Sequence, residues 1–245
     1  MTPSTNSSEP TPELRRKAEA VHALLMQHYG YPDWRPDFDP MDELVLTILS
    51  ANTSDNNSGL AFQRLKAAYP DWQAVLDAPL EELTEVIRPA GLGPTKAPRI
   101  QAALRRVLQE RGAFDLSFLA DLPVEEGLRW LTQLDGVGHK TASIVLLFCF
   151  DKPAFPVDTH IQRVSQRLGI AGPKDDPAKI KAIWEKLARP EWFYPLHLNL
   201  IRHGRQVCTA RSPRCADCFL REHCDWYQGR AAAAAEERSQ GAASA

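Results

Sequence analysis

Leu134-Asp135-Gly136-Val137-Gly138-His139-Lys140-Thr141-Ala142 joins two stretches with helical apolar spacing, 123–133 and 139–150. Two glycines one residue apart let the main chain turn tightly and leave no Cβ between it and a partner. The N–H groups of the turn, and those of the first turn of the next helix, then point outward. Together with the positive end of the helix dipole they make a site for an anion, for which a DNA phosphate is the natural candidate. A plain helix–helix turn has the same G-x-G, so these glycines leave both readings open.

Outward from this turn the pattern stays helical. Leu14, Ala18, Val21 and Leu25 recur at three and four, as do Leu44, Thr47, Ile48 and Ala51. Further amphipathic stretches cover 55–69, 80–89, 96–111, 159–168, 176–188 and 190–206. Pro123 stands at a helix start with Glu125 and Glu126 in the first turn. Thr159 and Gln162 make a T-x-x-Q capping box, and Gly91, Gly112 and Gly169 follow helical runs as C-terminal caps do. The expected fold class is all-α, with about ten helices and no internal repeat.

The chain has 245 residues, 44% apolar and 24% charged, which suits one large or two small globular domains. Its longest uncharged, mostly apolar run is the nine residues Ala142–Phe150, too short for a bilayer. The N-terminus has no signal-like stretch, so the expected location is cytoplasmic. A net charge of -2 argues mildly against nucleic-acid binding, which depends on local clustering of Lys and Arg. Residues 1–12 are rich in Ser, Thr and Pro and read as disordered. Residues 230–245 read as a low-complexity tail.

Lys140 falls at the start of a helix. The positive helix end disfavours an ammonium and, with burial in a cleft, would lower the lysine's pKa toward a nucleophilic amine; most lysines are solvated surface residues. Asp158, in Phe155-Pro156-Val157-Asp158-Thr159-His160, reads as a first-turn or capping carboxylate. It reads equally as a cleft carboxylate able to stabilise an oxocarbenium-like sugar. His160 reads as a hydrogen-bonded structural histidine.

Four of the five cysteines, Cys208, Cys215, Cys218 and Cys224, lie within 17 residues at the spacing C-x6-C-x2-C-x5-C. In a cytosolic chain this points to metal, either zinc or a [4Fe–4S] cluster, and spacing does not separate the two. Arg211 and Arg214 in the first loop suit phosphate contact. Cys149 reads as a core residue.

Taken in order, these residues resemble the endonuclease III family within the helix–hairpin–helix DNA glycosylases. LDGVGHKTA is similar to its hairpin and catalytic lysine, VDTHIQRV to its catalytic aspartate segment, and HGRQVC with the cysteines to its [4Fe–4S] site. Ser50-Ala51-Asn52-Thr53-Ser54-Asp55 resembles the stretch that reaches into DNA, and Gly91-Leu92-Gly93-Pro94-Thr95-Lys96-Ala97 the wedge loop. The resemblance covers about 13–227.

It implies a six-helix lobe over 40–151 carrying the hairpin. A second, iron–sulfur lobe is made of 13–39 with 152–229, and duplex DNA lies in the cleft between them. It implies Lys140 and Asp158 as catalytic residues. Asn52, Asp55, Leu92, Gly136, Val137, Gly138, His139, Arg211 and Arg214 become DNA contacts, and the four cysteines cluster ligands. The implied activity is excision of oxidised pyrimidines followed by Schiff-base β-elimination, in a bacterial-type, nucleoid-associated monomer acting on damaged or abasic duplexes, with no membrane partner.

Five residues depart from the family pattern. Asn52 stands where Gln is common, Gly93-Pro94 follows Leu92 in the wedge loop, and Asp135 and His139 stand where Pro and Arg are usual. These bear on substrate breadth and turnover. The alternatives are a monofunctional uracil, mismatch or adenine glycosylase, disfavoured by Lys140, and a non-catalytic DNA-binding module, disfavoured by Lys140 and Asp158 together.

Overall fold

The computed structural model describes residues 9–35 and 39–232. Among them there is no β-strand, and no helix is long and apolar enough to cross a membrane. The chain divides into two compact units, Trp34–Pro156 and the described parts of Met1–Asp33 with Val157–Ala245.

The Trp34–Pro156 unit holds α2 (Pro40–Ser50), α3 (Asp55–Ala68), α4 (Trp72–Asp77), α5 (Leu80–Val86), α6 (Gly93–Arg111), α7 (Val124–Leu131) and α8 (His139–Phe150). Local chemistry sets the starts. Asp39 accepts from the amides of Met41 and Asp42, Ser54 from Asn57 and Asp71 from Ala74. The apolar run noted above becomes α8, whose residues Thr141–Leu147 are buried on every side. Packed on α2 and α7, it is the axis of a core that includes Leu44, Leu49, Leu65, Ile100, Leu104 and Val145.

The other unit contains α1 (Pro12–Tyr29), α9 (Thr159–Leu168), α10 (Pro177–Leu187) and α11 (Phe193–Gln206), with residues 225–232 also helical. Here α11 packs on α1 and α9 around Leu25, Trp184, Leu196 and Leu200. The Lys17 ammonium, from α1, donates to the Leu168 carbonyl at 2.8 Å and pairs with Asp225.

Several sequence expectations shift. The first helix begins at Pro12, capped by Thr11, so residue 12 is not disordered; residues 1–8 and 233–245 lie outside the described ones. Thr159 and Gln162 form no capping box. Asp158 is the cap, its backbone extended and its carboxylate accepting from Ile161, while Gln162 reaches the Asp175 carbonyl. The 80–89 stretch ends as α5 at Val86 and continues as a 3-10 turn, Arg88–Ala90, which Gly91 caps. The 190–206 stretch likewise opens with a 3-10 turn, Pro190–Trp192. Pro123 precedes its helix, and α4 is too short to show a period of its own.

Helix α6 starts at Gly93, three residues earlier than its apolar pattern suggests. Gly93 and Pro94 are therefore its first turn rather than a stiffened loop. Proline suits that position, where its missing N–H is no loss. A Cβ on Gly93 would meet the Thr84 methyl at 2.9 Å and the Thr84 carbonyl oxygen at 3.1 Å, so glycine is what lets α6 start flush against α5.

Candidate functional site

Between α7 and α8 the chain turns through Gly136, at φ +80, and the Val137 amide donates back to the Leu134 carbonyl at 3.1 Å. Val137 is buried and anchors the turn; Gly138, the N-cap of α8, has open space around it. A Cβ on Gly136 would press on the Arg99 side chain of α6 at 3.0 and 3.1 Å, so the hairpin rests on α6. No side chain caps α8, which leaves its first N–H groups to an outside acceptor. Asp135 and His139 are exposed beside them. Lys140, the second residue of α8, is exposed as well, so the expected burial is absent from the protein alone.

Asn52 and Leu92 lie in the same unit as the hairpin and share an unusual main chain. Both are left-handed, at φ 55 and φ 52, a conformation that asparagine adopts readily but that costs leucine about 1–2 kcal/mol. Both are exposed, Leu92 at 56%. Asn52 follows α2 and Leu92 precedes α6. Asp55 opens α3 just beyond Asn52, on the same exposed edge.

Lys96 lies behind these turns and is only 3% exposed. Its ammonium donates to the Leu49 carbonyl at 2.7 Å and the Ala90 carbonyl at 2.8 Å. Desolvation lowers its pKa, while carbonyls at two helix C-termini offer it the negative ends of their dipoles. Nothing in the sequence motif around Lys96 assigns it a role. Its partners are 47 and 6 residues away, and no local pattern announces them.

Asp158 is half-buried at the start of α9, one oxygen occupied by the Ile161 amide at 2.8 Å. His160 Nδ1 accepts from Arg163, and burial lowers the imidazole's pKa; the charge of Asp158 opposes this in part, and Arg163 and Arg205 add smaller lowering effects. The same helix braces the cysteine loop. Arg163 donates to the carbonyls of Cys208 and Gly204 at 2.9 and 2.8 Å. Arg167, one turn on, donates to those of Thr209 and Ala210 and to the Cys208 sulfur at 3.3 Å, with Trp226 under its guanidinium. Arg214 folds back onto the Gln206 carbonyl and closes the first cysteine loop, which engages it within the protein; Arg211 is exposed.

Cys208, Cys215, Cys218 and Cys224 line one small cavity with Arg167 and His203. They do not converge on a point: among the described residues no three His, Cys, Asp or Glu side chains form a set for a single ion. Four cysteine sulfurs on one cavity supply the four thiolates that a [4Fe–4S] cluster takes. Burial raises the pKa values of the Cys215, Cys218 and Cys224 thiols, that of Cys218 to about 11, a cost that a bound cationic cluster would reverse. Donors already face the sulfurs. Buried His203, its pKa lowered to about 4 by desolvation and by the charge of His28, takes the Tyr29 hydroxyl on Nδ1 at 3.2 Å. Its Nε2 is 3.5 Å from the Cys218 sulfur. Cys149 is separate, buried in α8.

Residues 45–190 match the profile of the HhH-GPD superfamily base excision DNA repair proteins. Residues 208–224, from the first clustered cysteine to the last, match the iron–sulfur binding domain of endonuclease III. Endonuclease III of Thermotoga maritima is 34% identical over 200 residues, covering 82% of this chain and 89% of that one. The enzyme of Treponema pallidum is 37% identical over 206 residues, covering 84% and 92%. Among solved structures, a non-covalent endonuclease III–DNA complex superposes with a TM-score of 0.77 at 29% identity, covering 88% of this chain and 97% of that one. A trapped endonuclease III–DNA covalent intermediate gives 0.76 at 28%, covering 88% and 98%. The chain therefore belongs to the endonuclease III family of the HhH-GPD superfamily and is a base-excision DNA glycosylase and AP lyase with a [4Fe–4S] cluster.

Proposed function

We propose that this enzyme removes oxidised pyrimidines from duplex DNA and then cuts the strand by β-elimination, with Lys140 as nucleophile and Asp158 as the assisting carboxylate. The observation that carries this reading is the place of Lys140: exposed, in the first turn of an uncapped helix, directly after a glycine hairpin suited to a phosphate. The hairpin amides hold the backbone, Asn52 fills the space left by the flipped nucleotide, and Leu92 wedges the stack, with Asp55 and His139 alongside and Arg211 toward the phosphates. Because the protein alone does not bury Lys140, desolvation of its amine falls to the bound DNA.

The neutral Lys140 amine attacks C1′ of the flipped nucleotide. The N-glycosidic bond breaks, its electron pair leaves with the base, and the base takes a proton. Asp158 keeps one oxygen on the Ile161 amide, leaving the other to stabilise positive charge on the sugar. The amine nitrogen loses its proton, the C1′–O4′ bond opens and a Schiff base forms. Loss of a C2′ proton then expels the 3′-phosphate. Cys208, Cys215, Cys218 and Cys224 hold the cluster, which when bound supplies cross-links that order the loop after α11. Asn52, shorter than Gln, narrows the set of accepted lesions. The enzyme acts as a cytoplasmic, nucleoid-associated monomer.

Borohydride trapping tests the reading on duplexes carrying thymine glycol, 5-hydroxycytosine, uracil or an abasic site, with Lys140→Gln as control. The expected result is a covalent adduct on the oxidised pyrimidines and the abasic site that vanishes in the control. Adducts on abasic sites alone would confine the enzyme to lyase action. No adduct from folded, DNA-binding protein sinks the bifunctional mechanism and leaves a monofunctional glycosylase or a binding module.

A further inference from the structure

We infer that Lys96 is a positioning residue for lesion recognition, a buried strut that holds the Asn52 turn and the Leu92 turn in one fixed relation. The inference rests on the reading above, in which both turns enter the duplex.

The carbonyl that Lys96 holds on one side belongs to Leu49, three residues before Asn52; on the other side it belongs to Ala90, two residues before Leu92. Both turns leave the ends of short helical segments, α2 and the Arg88–Ala90 3-10 turn, whose last carbonyls have no helical partner. One ammonium satisfies a carbonyl from each. It belongs to α6, the helix that Leu92 opens and on which the hairpin rests. Both turns contain a left-handed non-glycine residue. For Leu92 such a conformation persists only where its surroundings over-determine it, and strain of this kind gathers at ligand-contacting segments.

A capping role alone explains one carbonyl. It does not explain why the long side chain of α6 bridges the ends of two different segments, each followed by an exposed residue in the left-handed region. Two side chains that enter a duplex together must keep their separation while the bases push back. A rigid ion–carbonyl link through the interior does this, whereas two independently hinged loops would give way. Substituting Lys96 therefore affects opening of an intact base pair more than reaction at an abasic site, where no base has to be unpaired.

The test compares wild type, Lys96→Met, Lys96→Gln and the double variant Asn52→Ala/Leu92→Ala. Fluorescence of 2-aminopurine placed opposite the lesion reports entry of the two turns. Single-turnover removal of thymine glycol and borohydride trapping at a preformed abasic site report the chemistry. For Lys96→Met the expected result is loss of the fluorescence response and a fall of about tenfold or more in base removal, with abasic-site trapping changed less than about twofold. Lys96→Gln, which keeps two N–H donors without the charge, falls between. Lys96→Met added to the Asn52→Ala/Leu92→Ala background has no further effect on base removal. If Lys96→Met does not fold, Lys96→Gln is read against the same three assays. Parallel losses in base removal and trapping, or additive losses in the combined variant, would overturn the inference in favour of a merely structural lysine. A wild-type protein that traps abasic sites but gives no fluorescence response would instead overturn the entry of the two turns themselves.

Discussion

Gly169 and Asp225 are in contact, the Asp225 carboxylate standing where a Cβ at 169 would go. Gly169 ends α9 at φ +75, and a Cβ there would fall inside the Asp225 carboxylate, which is itself paired with Lys17 of α1. Asp225 directly follows Cys224. The end of the helix that Asp158 begins is thus locked to the end of the cysteine loop.

Gly169→Ala is expected to displace this lock. The left-handed main chain alone costs about 1–2 kcal/mol, and moving Asp225 adds to it. Visible absorbance per protein should fall together with the melting temperature. Full cluster content with an unchanged melting temperature contradicts the coupling.

The hairpin glycines separate into two kinds. Gly136→Ala meets both a positive φ and the Arg99 side chain, and should lower stability by about 1–2 kcal/mol. Gly138 has φ -90 and open space, so Gly138→Ala should fold as wild type. Its methyl would stand where a phosphate approaches, weakening DNA binding about three- to tenfold, or roughly 0.7–1.4 kcal/mol. Thermal melts and anisotropy titrations on one duplex distinguish the two; equal effects of both changes on binding argue against the phosphate site.

Asp158 has a cap role and a proposed chemical role that substitution can part. Asn caps as well as Asp, so Asp158→Asn should keep stability while base removal falls by about 10²–10⁴. Asp158→Ala should add a loss of about 1 kcal/mol in stability. An Asp158→Asn enzyme with wild-type single-turnover rates would leave this carboxylate a cap alone.

Glu43, buried in α2, has its pKa raised by desolvation, against a smaller opposing effect of the Thr47 hydroxyl at 3.2 Å. The folded state thus holds this proton more tightly than the unfolded chain. The contribution favours folding at and below the ordinary carboxylate range and is lost as pH rises through the higher folded pKa. Glu43→Gln should melt a few degrees above wild type at about pH 8.5, and the gap should shrink toward about pH 5.5. A gap independent of pH means the carboxylate is not strained by burial.

The helical class was legible in local chemistry. Apolar spacing, Gly112 and Gly169 as caps, and the G-x-G before Lys140 all act within a turn or two of chain. The cysteine spacing announced a metal group in the same way. Local pattern offered two caps for α9, Asp158 and Thr159, and only the backbone shows which one stays extended.

Other features depended on residues far apart in sequence. Zinc and iron–sulfur read alike in the cysteine spacing, and the match of residues 208–224 to the iron–sulfur binding domain of endonuclease III separated them. Glycine at 93 is dictated by Thr84, which no motif includes. Lys96 looks like a surface lysine in any window of the sequence. Its burial is tolerable only because packing brings it the carbonyls of Leu49 and Ala90. The sequence by itself determined which segments coil and which side chains carry chemistry, since propensity and capping are short-range. Only the tertiary structure decided which backbone groups a buried charge meets, because that depends on how whole helices pack.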